Sequence, residues 1–170
     1  MLPPVSSTSF AALAAGGLVA TIVDLRSRRI PNWLTAAMAA SGIGLALMGL
    51  SGVSPMASTA GLLVGLMLMM PGHAMGATGA GDVKLMAAVG AIVGIKLVVT
   101  AFLYTAIAGG VLAVVVALRR RRFSATLAGT GRLIAAPSDA PHELRAASPA
   151  SRFAYGPAIA IGSVIAALVG

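Results

Sequence analysis

The stretch Gly79-Ala80-Gly81-Asp82-Val83-Lys84-Leu85 places a carboxylate behind two glycines at the start of a long apolar segment. Most of the residues that follow are Met, Ala, Val, Gly and Ile, so Asp82 lies at the edge of hydrocarbon and not in a solvated loop. An ionisable residue that borders a membrane span is energetically costly, and it is by default a candidate functional residue. The stretch therefore predicts a membrane-embedded site built around Asp82.

The composition of the 170 residues is that of an integral membrane protein. Hydrophobic residues make up 58% of the chain and charged residues 9%, whereas about 25% of a typical soluble domain is charged. Apolar runs that are broken by turns, without alternation of period two, favour membrane helices over an outer-membrane barrel. We expect an all-α, polytopic helix bundle that forms one domain over residues 1–170. The chain has no cysteine, which excludes disulfides, thiol nucleophiles and cysteine zinc sites.

Six membrane spans are predicted from the apolar runs and from the prolines, glycines and charges that separate them. They cover residues 10–23, 32–50, 56–70, 81–95, 97–118 and 153–169. A basic polar loop at about 119–152 connects the last two spans and is expected on the cytoplasmic side.

The positions of the positive charges predict the orientation of the bundle. The net charge is +8, and the first, third and fifth connections hold most of the cations, whereas Lys96 lies on the other side. The positive-inside rule places the odd-numbered connections in the cytoplasm and both termini outside. Cations between apolar runs indicate a lipid bilayer, and no nucleic acid, as the partner of the basic residues. Asp24 and Asp82 then both lie at cytoplasmic ends of spans, at similar depth.

Two carboxylates at one membrane depth allow acid–base chemistry. The chain has only four acidic residues, which are Asp24, Asp82, Asp139 and Glu143. Like charges a few ångströms apart do not both ionise, so Asp24 and Asp82 could share one proton. The ionised member could activate water while the protonated member polarises a peptide carbonyl. Gly79 and Gly81 would let backbone or substrate approach Asp82 closely. The pattern predicts an aspartic protease with Asp24 and Asp82 as its catalytic pair.

Simpler interpretations of the same residues stay open. Asp24 could pair with Arg28 one helical turn later, and Asp82 could be only a helix N-cap. Lys84 could extend to the lipid headgroups, or it could tune the aspartates or bind the substrate backbone. Paired carboxylates also occur in proton-coupled transporters, although the spans offer few polar residues for a path. A non-enzymatic assembly subunit of a secretion system would need neither aspartate.

Two further patterns have a packing interpretation. Gly61 with Gly65, and Gly90 with Gly94, have the four-residue spacing that lets membrane helices pack closely. The stretch Met67–Met75 holds several thioethers and His73, which could be soft-metal ligands. Methionine is also common in apolar cores, and we expect no metal and no cofactor.

Two stretches of the sequence resemble motifs of the type IV prepilin peptidase family, whose members are membrane aspartic proteases of the GxGD type. The first aspartate motif of this family is similar to Asp24 followed by Arg28-Arg29-Ile30-Pro31-Asn32. The stretch from Gly79 to Leu85 resembles the second motif of this family. The segment 154–160 resembles the conserved part of the last helix, although the family often has a proline where this chain has Ala154. The resemblance covers residues 24–162.

The resemblance implies a role for each of these motifs. Asp24 and Asp82 would be catalytic, and the implied active-site support would come from Gly79, Gly81, Lys84, Tyr155, Gly156 and Pro157. The implied substrates are pilin and pseudopilin precursors, whose basic leader is cleaved at the cytoplasmic face of the bacterial inner membrane. Long family members carry a methyltransferase region with cysteine zinc motifs. Without these, the chain resembles the short form that serves Flp-type tight-adherence pili, and no N-methyltransferase activity is expected.

Overall fold

The computed structural model describes residues 5–119 and 155–169. This part of the chain forms five α-helices: α1 (Ser7–Ser27), α2 (Asn32–Leu47), α3 (Pro55–Ala74), α4 (Ala80–Arg119) and α5 (Gly156–Val169). Three stretches, α1, α3 and Ala80–Val115 of α4, are long and apolar enough to cross a membrane, while α2 and α5 are shorter apolar helices. The all-α prediction is confirmed, and the prediction of six spans stays a prediction. Apart from Arg119, the predicted loop at 119–152 lies outside the described residues.

Helix α4 is interrupted at Gly94, where the backbone has φ 79° and ψ 175°. Glycine adopts a positive φ without the strain that a Cβ would cause. Residues eight apart on a straight helix are separated by about 12 Å along its axis, yet a Cβ on Gly90 would lie 3.1 Å from Cγ2 of Val98. The chain therefore folds back at Gly94, close to the break that the sequence predicted beside Lys96.

Helices α3 and α4 are packed backbone against backbone. A Cβ on Gly61 would collide with the carbonyl oxygen of Gly90, and a Cβ on Gly90 would collide with the carbonyl oxygen of Gly61. The Oγ of Ser58 donates to the carbonyl oxygen of Ala91 at 2.6 Å, which adds a polar contact between the helices. The close packing predicted from the glycine spacing is confirmed.

The first segment of α4 is the central helix of the bundle. Its side chains are buried nearly all the way round, including Leu85, Met86, Val89 and Ile92. A helix that is apolar on every face is either surrounded by neighbours or faces lipid, and the burial of these side chains shows that neighbouring helices surround this segment. The first turn of this segment carries Asp82. It lies at the end of the bundle where other helices also begin or end. These are the last turns of α1 and α3 and the first turns of α2 and α5.

Candidate active site

A cavity with a volume of about 360 Å³ opens at this end of the bundle. It is lined by the last turn of α1, the α1–α2 connection, the α3–α4 connection and the first turn of α4. The lining residues are Asp24, Arg28, Arg29, Ile30, Asn32 and residues 76–82. The structure therefore brings the two predicted catalytic aspartates to one cavity.

Asp24 lies in the last turns of α1 and is only 5% exposed. Its Oδ2 accepts the backbone N–H of Gly156 at 2.9 Å, across 132 positions of sequence. Its carbonyl oxygen accepts the N–H of Arg28 at 2.8 Å, and Arg28 ends the helix with a left-handed backbone of φ 52°. Arg28 also interacts electrostatically with the carboxylate. The carboxylate is thus held by the start of α5 as well as by its local cation.

Asp82 is the third residue of α4 and is 8% exposed. Its Oδ2 accepts the backbone N–H of Gly79 at 2.9 Å. Gly79 directly precedes the helix, so Asp82 is not the N-cap residue itself. It makes the reciprocal contact of a capping box, in which a side chain in the first turn accepts the N–H of the residue before the helix. A carboxylate at this position also interacts favourably with the helix dipole.

The two carboxylates are close enough to interact electrostatically. Each uses one oxygen to accept a backbone N–H. A carboxylate has about four lone-pair sites, so each retains the capacity to accept from a water molecule or from a substrate.

The predicted support residues of the last helix make contacts with different parts of the bundle. Gly156 and Pro157 are buried and begin α5, where the absence of an N–H on proline removes one unsatisfied donor. A Cβ on Gly156 would lie 2.8 Å from Oδ2 of Asp24. Tyr155 precedes them, and its hydroxyl oxygen lies 2.7 Å from where a Cβ on Gly109 would be. Tyr155 therefore packs against the second segment of α4.

Gly79 and Gly81 both line the cavity. A Cβ added at each of them would meet a different neighbour. A Cβ on Gly79 would lie 3.2 Å from Oδ2 of Asp82, which is the close approach that the sequence predicted. A Cβ on Gly81 would instead lie 3.1 Å from the Cβ of Ile30. Gly81 thus makes room for the α1–α2 connection, and the expectation that it lets backbone or substrate approach Asp82 closely stays a prediction.

Lys84 is exposed and is not one of the residues that line the cavity. Its Nζ donates to Oδ1 of Asn32 at 2.8 Å. Asn32 does line the cavity, although no role was predicted for it from the sequence. The signal that could have identified it is a polar, uncharged side chain at the first position of a predicted span.

The methionines of the stretch Met67–Met75 do not share one face of α3. Met67 is 66% exposed, whereas Met69 is 3% exposed and belongs to the core. Among the described residues there is no cluster of three or more His, Cys, Asp or Glu side chains. The burial of Met69 in the core agrees with the packing interpretation of this residue.

The sequence profile of the type IV leader peptidase family matches residues 11–114, which is more than half of the chain. The chain belongs to the type IV leader peptidase family. The matched residues include Asp24, Asp82 and both motifs around them, and they end before the segment that begins at Tyr155. No curated protein and no solved structure matches the chain significantly.

Membership of the leader peptidase family agrees with the apolar helices, three of which could cross a membrane. This leader peptidase family member is therefore a membrane protein with a peptidase role.

Proposed function

We propose that the chain is a membrane aspartyl endopeptidase that removes the basic leader of Flp-type pilin and pseudopilin precursors. The observation that carries this proposal is the meeting of Asp24 and Asp82 at one cavity. The two residues come from different helices, are both buried, and are each held by a backbone N–H. Membership of the type IV leader peptidase family supports the substrate class.

The reaction needs only the two carboxyl groups and one water molecule. The ionised carboxylate takes a proton from water, whose oxygen attacks the carbonyl carbon of the scissile peptide bond. The protonated carboxyl group donates its proton toward the carbonyl oxygen, where negative charge develops. The carboxyl group that took the proton from water then delivers it to the amide nitrogen as the C–N bond breaks, and the other carboxylate accepts a proton from the hydroxyl groups of the intermediate. The products are a leader with a new carboxyl group and a mature chain with a new amino group. No N-methyltransferase step is proposed.

Cleavage is proposed to take place at the cytoplasmic face of the inner membrane. The cavity end of the bundle carries Arg28 and Arg29, while Lys96 lies beside the Gly94 break and the α2–α3 connection. The positive-inside rule supports a cytoplasmic position for the arginine-bearing end. In this topology α2 and α5 are also spans, the break in α4 separates two spans, and both termini lie outside.

A proton-coupled transporter is less well supported. Transport would require a polar path from Asp82 toward the far side of the membrane. Along the first segment of α4, the buried side chains after Asp82 are apolar up to the break at Gly94. A path is therefore not continued along the central helix, whereas a peptidase needs the carboxylates only at one end.

The proposal is tested with purified protein in proteoliposomes and a purified Flp-type pilin precursor. The intact mass of the precursor is expected to fall by the mass of one leader, and liposomes without the protein are the control. A pseudopilin precursor serves as the second substrate. No loss of mass for either substrate, at any amount of folded protein, would contradict the proposed function.

Gly156→Ala is expected to lower the cleavage rate about 10- to 100-fold, because misplacing a reacting group by about 1 Å can cost 100-fold in rate. The new methyl group would lie 2.8 Å from Oδ2 of Asp24 and would push the carboxylate from its bond with the N–H of residue 156. The initial rate of leader removal, normalised to the amount of folded protein, measures the effect. Gly110→Ala is the matched control, since a Cβ there has no atom within 4 Å. Wild-type rates for both variants would show that this contact does not position Asp24.

A further inference from the structure

A hydrogen bond between side chains links the two aspartate motifs. Nζ of Lys84 donates to Oδ1 of Asn32 at 2.8 Å, across 52 positions of sequence. Asn32 is the first residue of α2 and lines the cavity that holds Asp24 and Asp82. Lys84 follows Asp82 by two positions on α4 and lies outside the cavity lining. The contact therefore connects an exposed cation to a side chain of the cavity wall.

The chemistry of the contact fixes the orientation of the Asn32 amide. A lysine ammonium has three donors and no acceptor, so the atom of Asn32 that faces it is the amide oxygen. The amide nitrogen then occupies the other arm of the planar group, directed away from Lys84, with two N–H donors. Asn32 is exposed, and the contact with Lys84 uses its oxygen and leaves the donors of its nitrogen available. Asn32 thus offers unused donors at the cavity wall.

A peptide bound beside the aspartates needs donors for its main-chain carbonyl groups. Two backbone donors beside the aspartates are already used, since the N–H of Gly79 binds Asp82 and the N–H of Gly156 binds Asp24. An ionised carboxylate is an acceptor only. The Asn32 amide is a neutral donor on the same cavity, and it can bind a carbonyl oxygen without adding charge beside the aspartates.

We propose that Asn32 binds a main-chain carbonyl oxygen of the substrate through its amide N–H, and that Lys84 is a positioning residue that holds this amide in its donating orientation. The proposal rests on the proposed peptidase function. It gives Lys84 a role that is exerted through Asn32, without direct contact with the aspartates or the substrate. The competing role for the contact is only to hold α2 against α4.

Asn32→Asp separates these two roles. The new carboxylate keeps an acceptor for Lys84 but has no N–H to donate. Lys84→Met removes the contact, and Lys84→Arg keeps a cationic donor at the same position. Lys96→Met is the matched control, because Lys96 is the other lysine of the chain, lies on the same helix and is also exposed. Asn32→Ala removes both the donor and the acceptor.

Two measurements report on substrate binding. The first is the Kd of a fluorescently labelled pilin precursor for the chain in nanodiscs, made inactive by Asp24→Asn with Asp82→Asn. The second is KM and kcat of the active chain. Asn32→Asp, Asn32→Ala and Lys84→Met are each expected to raise Kd and KM about tenfold, which corresponds to one hydrogen bond. kcat is expected to change less than KM, because the lost contact is made equally in ground and transition states. Lys84→Arg is expected to recover most of the affinity that Lys84→Met loses, and Lys96→Met is expected to bind as the unsubstituted chain does.

Wild-type Kd and KM for Asn32→Asp would overturn the inference and leave the contact as a link between helices. In that case Lys84→Met and Asn32→Ala would instead lower the melting temperature. A precursor that does not bind the inactive chain at all would also overturn it. Failure of the peptidase function is recognised separately, since the active chain with Asn32 intact would then leave the precursor uncleaved.

Discussion

Asp24→Asn and Asp82→Asn are each expected to reduce leader removal at least about 1000-fold, within the range that general acid–base groups contribute. Asparagine has nearly the shape of aspartate and keeps an oxygen that can accept the N–H of Gly156 or Gly79. It cannot take a proton from water or deliver one to a carbonyl oxygen. The initial rate of cleavage in proteoliposomes, with the amount of folded protein measured in each sample, gives the effect.

The other two acidic residues of the chain provide matched controls. Asp139→Asn and Glu143→Gln also remove one negative charge each, and neither residue is part of the proposed catalytic pair. Both are expected to cleave at the wild-type rate. Activity within about tenfold of wild type for either Asp24→Asn or Asp82→Asn would mean that the pair does not supply the acid and the base.

Gly61→Ala and Gly90→Ala are expected to destabilise the folded protein by about 3 kcal/mol each, at the upper end of the usual cost of overpacking. The added Cβ of either variant would collide with the carbonyl oxygen of the other glycine. A side-chain rotation cannot relieve a collision with backbone, so α3 and α4 would have to separate. Thermal unfolding of the purified protein in one detergent, together with the fraction that remains monodisperse, measures the loss.

Gly44→Ala and Gly110→Ala are the controls for this prediction. Both glycines lie within helices, and a Cβ on either has no atom within 4 Å. Alanine is the better helix former by about 1 kcal/mol, so these variants are expected to unfold at or above the wild-type temperature. Equal behaviour of Gly61→Ala and Gly44→Ala would contradict the backbone contact between α3 and α4.

The sequence predicted where helices lie better than where they end. The first span was predicted over residues 10–23, whereas α1 extends over Ser7–Ser27. The predicted third span ended at residue 70, whereas α3 continues to Ala74 and includes Pro71 in its last turns. An apolar run marks only the part of a helix that faces hydrocarbon. Capping by Ser6 and packing against neighbours extend these helices beyond it.

The meeting of Asp24 and Asp82 could be anticipated because the positive charges predict which span ends share a side. The groups that hold the carboxylates could not be identified in this way. The N–H of Gly156 reaches Asp24 only because α5 packs against α1, and no local pattern encodes that distance. The contact between Lys84 and Asn32 likewise depends on how α2 packs against α4. Spacing along a helix identifies neighbours three or four residues apart, not partners on other helices.

The most direct test of the catalytic pair is the intact mass of a Flp-type pilin precursor that is co-expressed in membranes with the wild-type chain, with Asp24→Asn or with Asp82→Asn. All three proteins must accumulate to equal levels. We predict that the precursor loses one leader peptide with the wild-type chain and keeps it with each variant. Loss of the leader with either variant would contradict the assignment of Asp24 and Asp82 together as the catalytic pair.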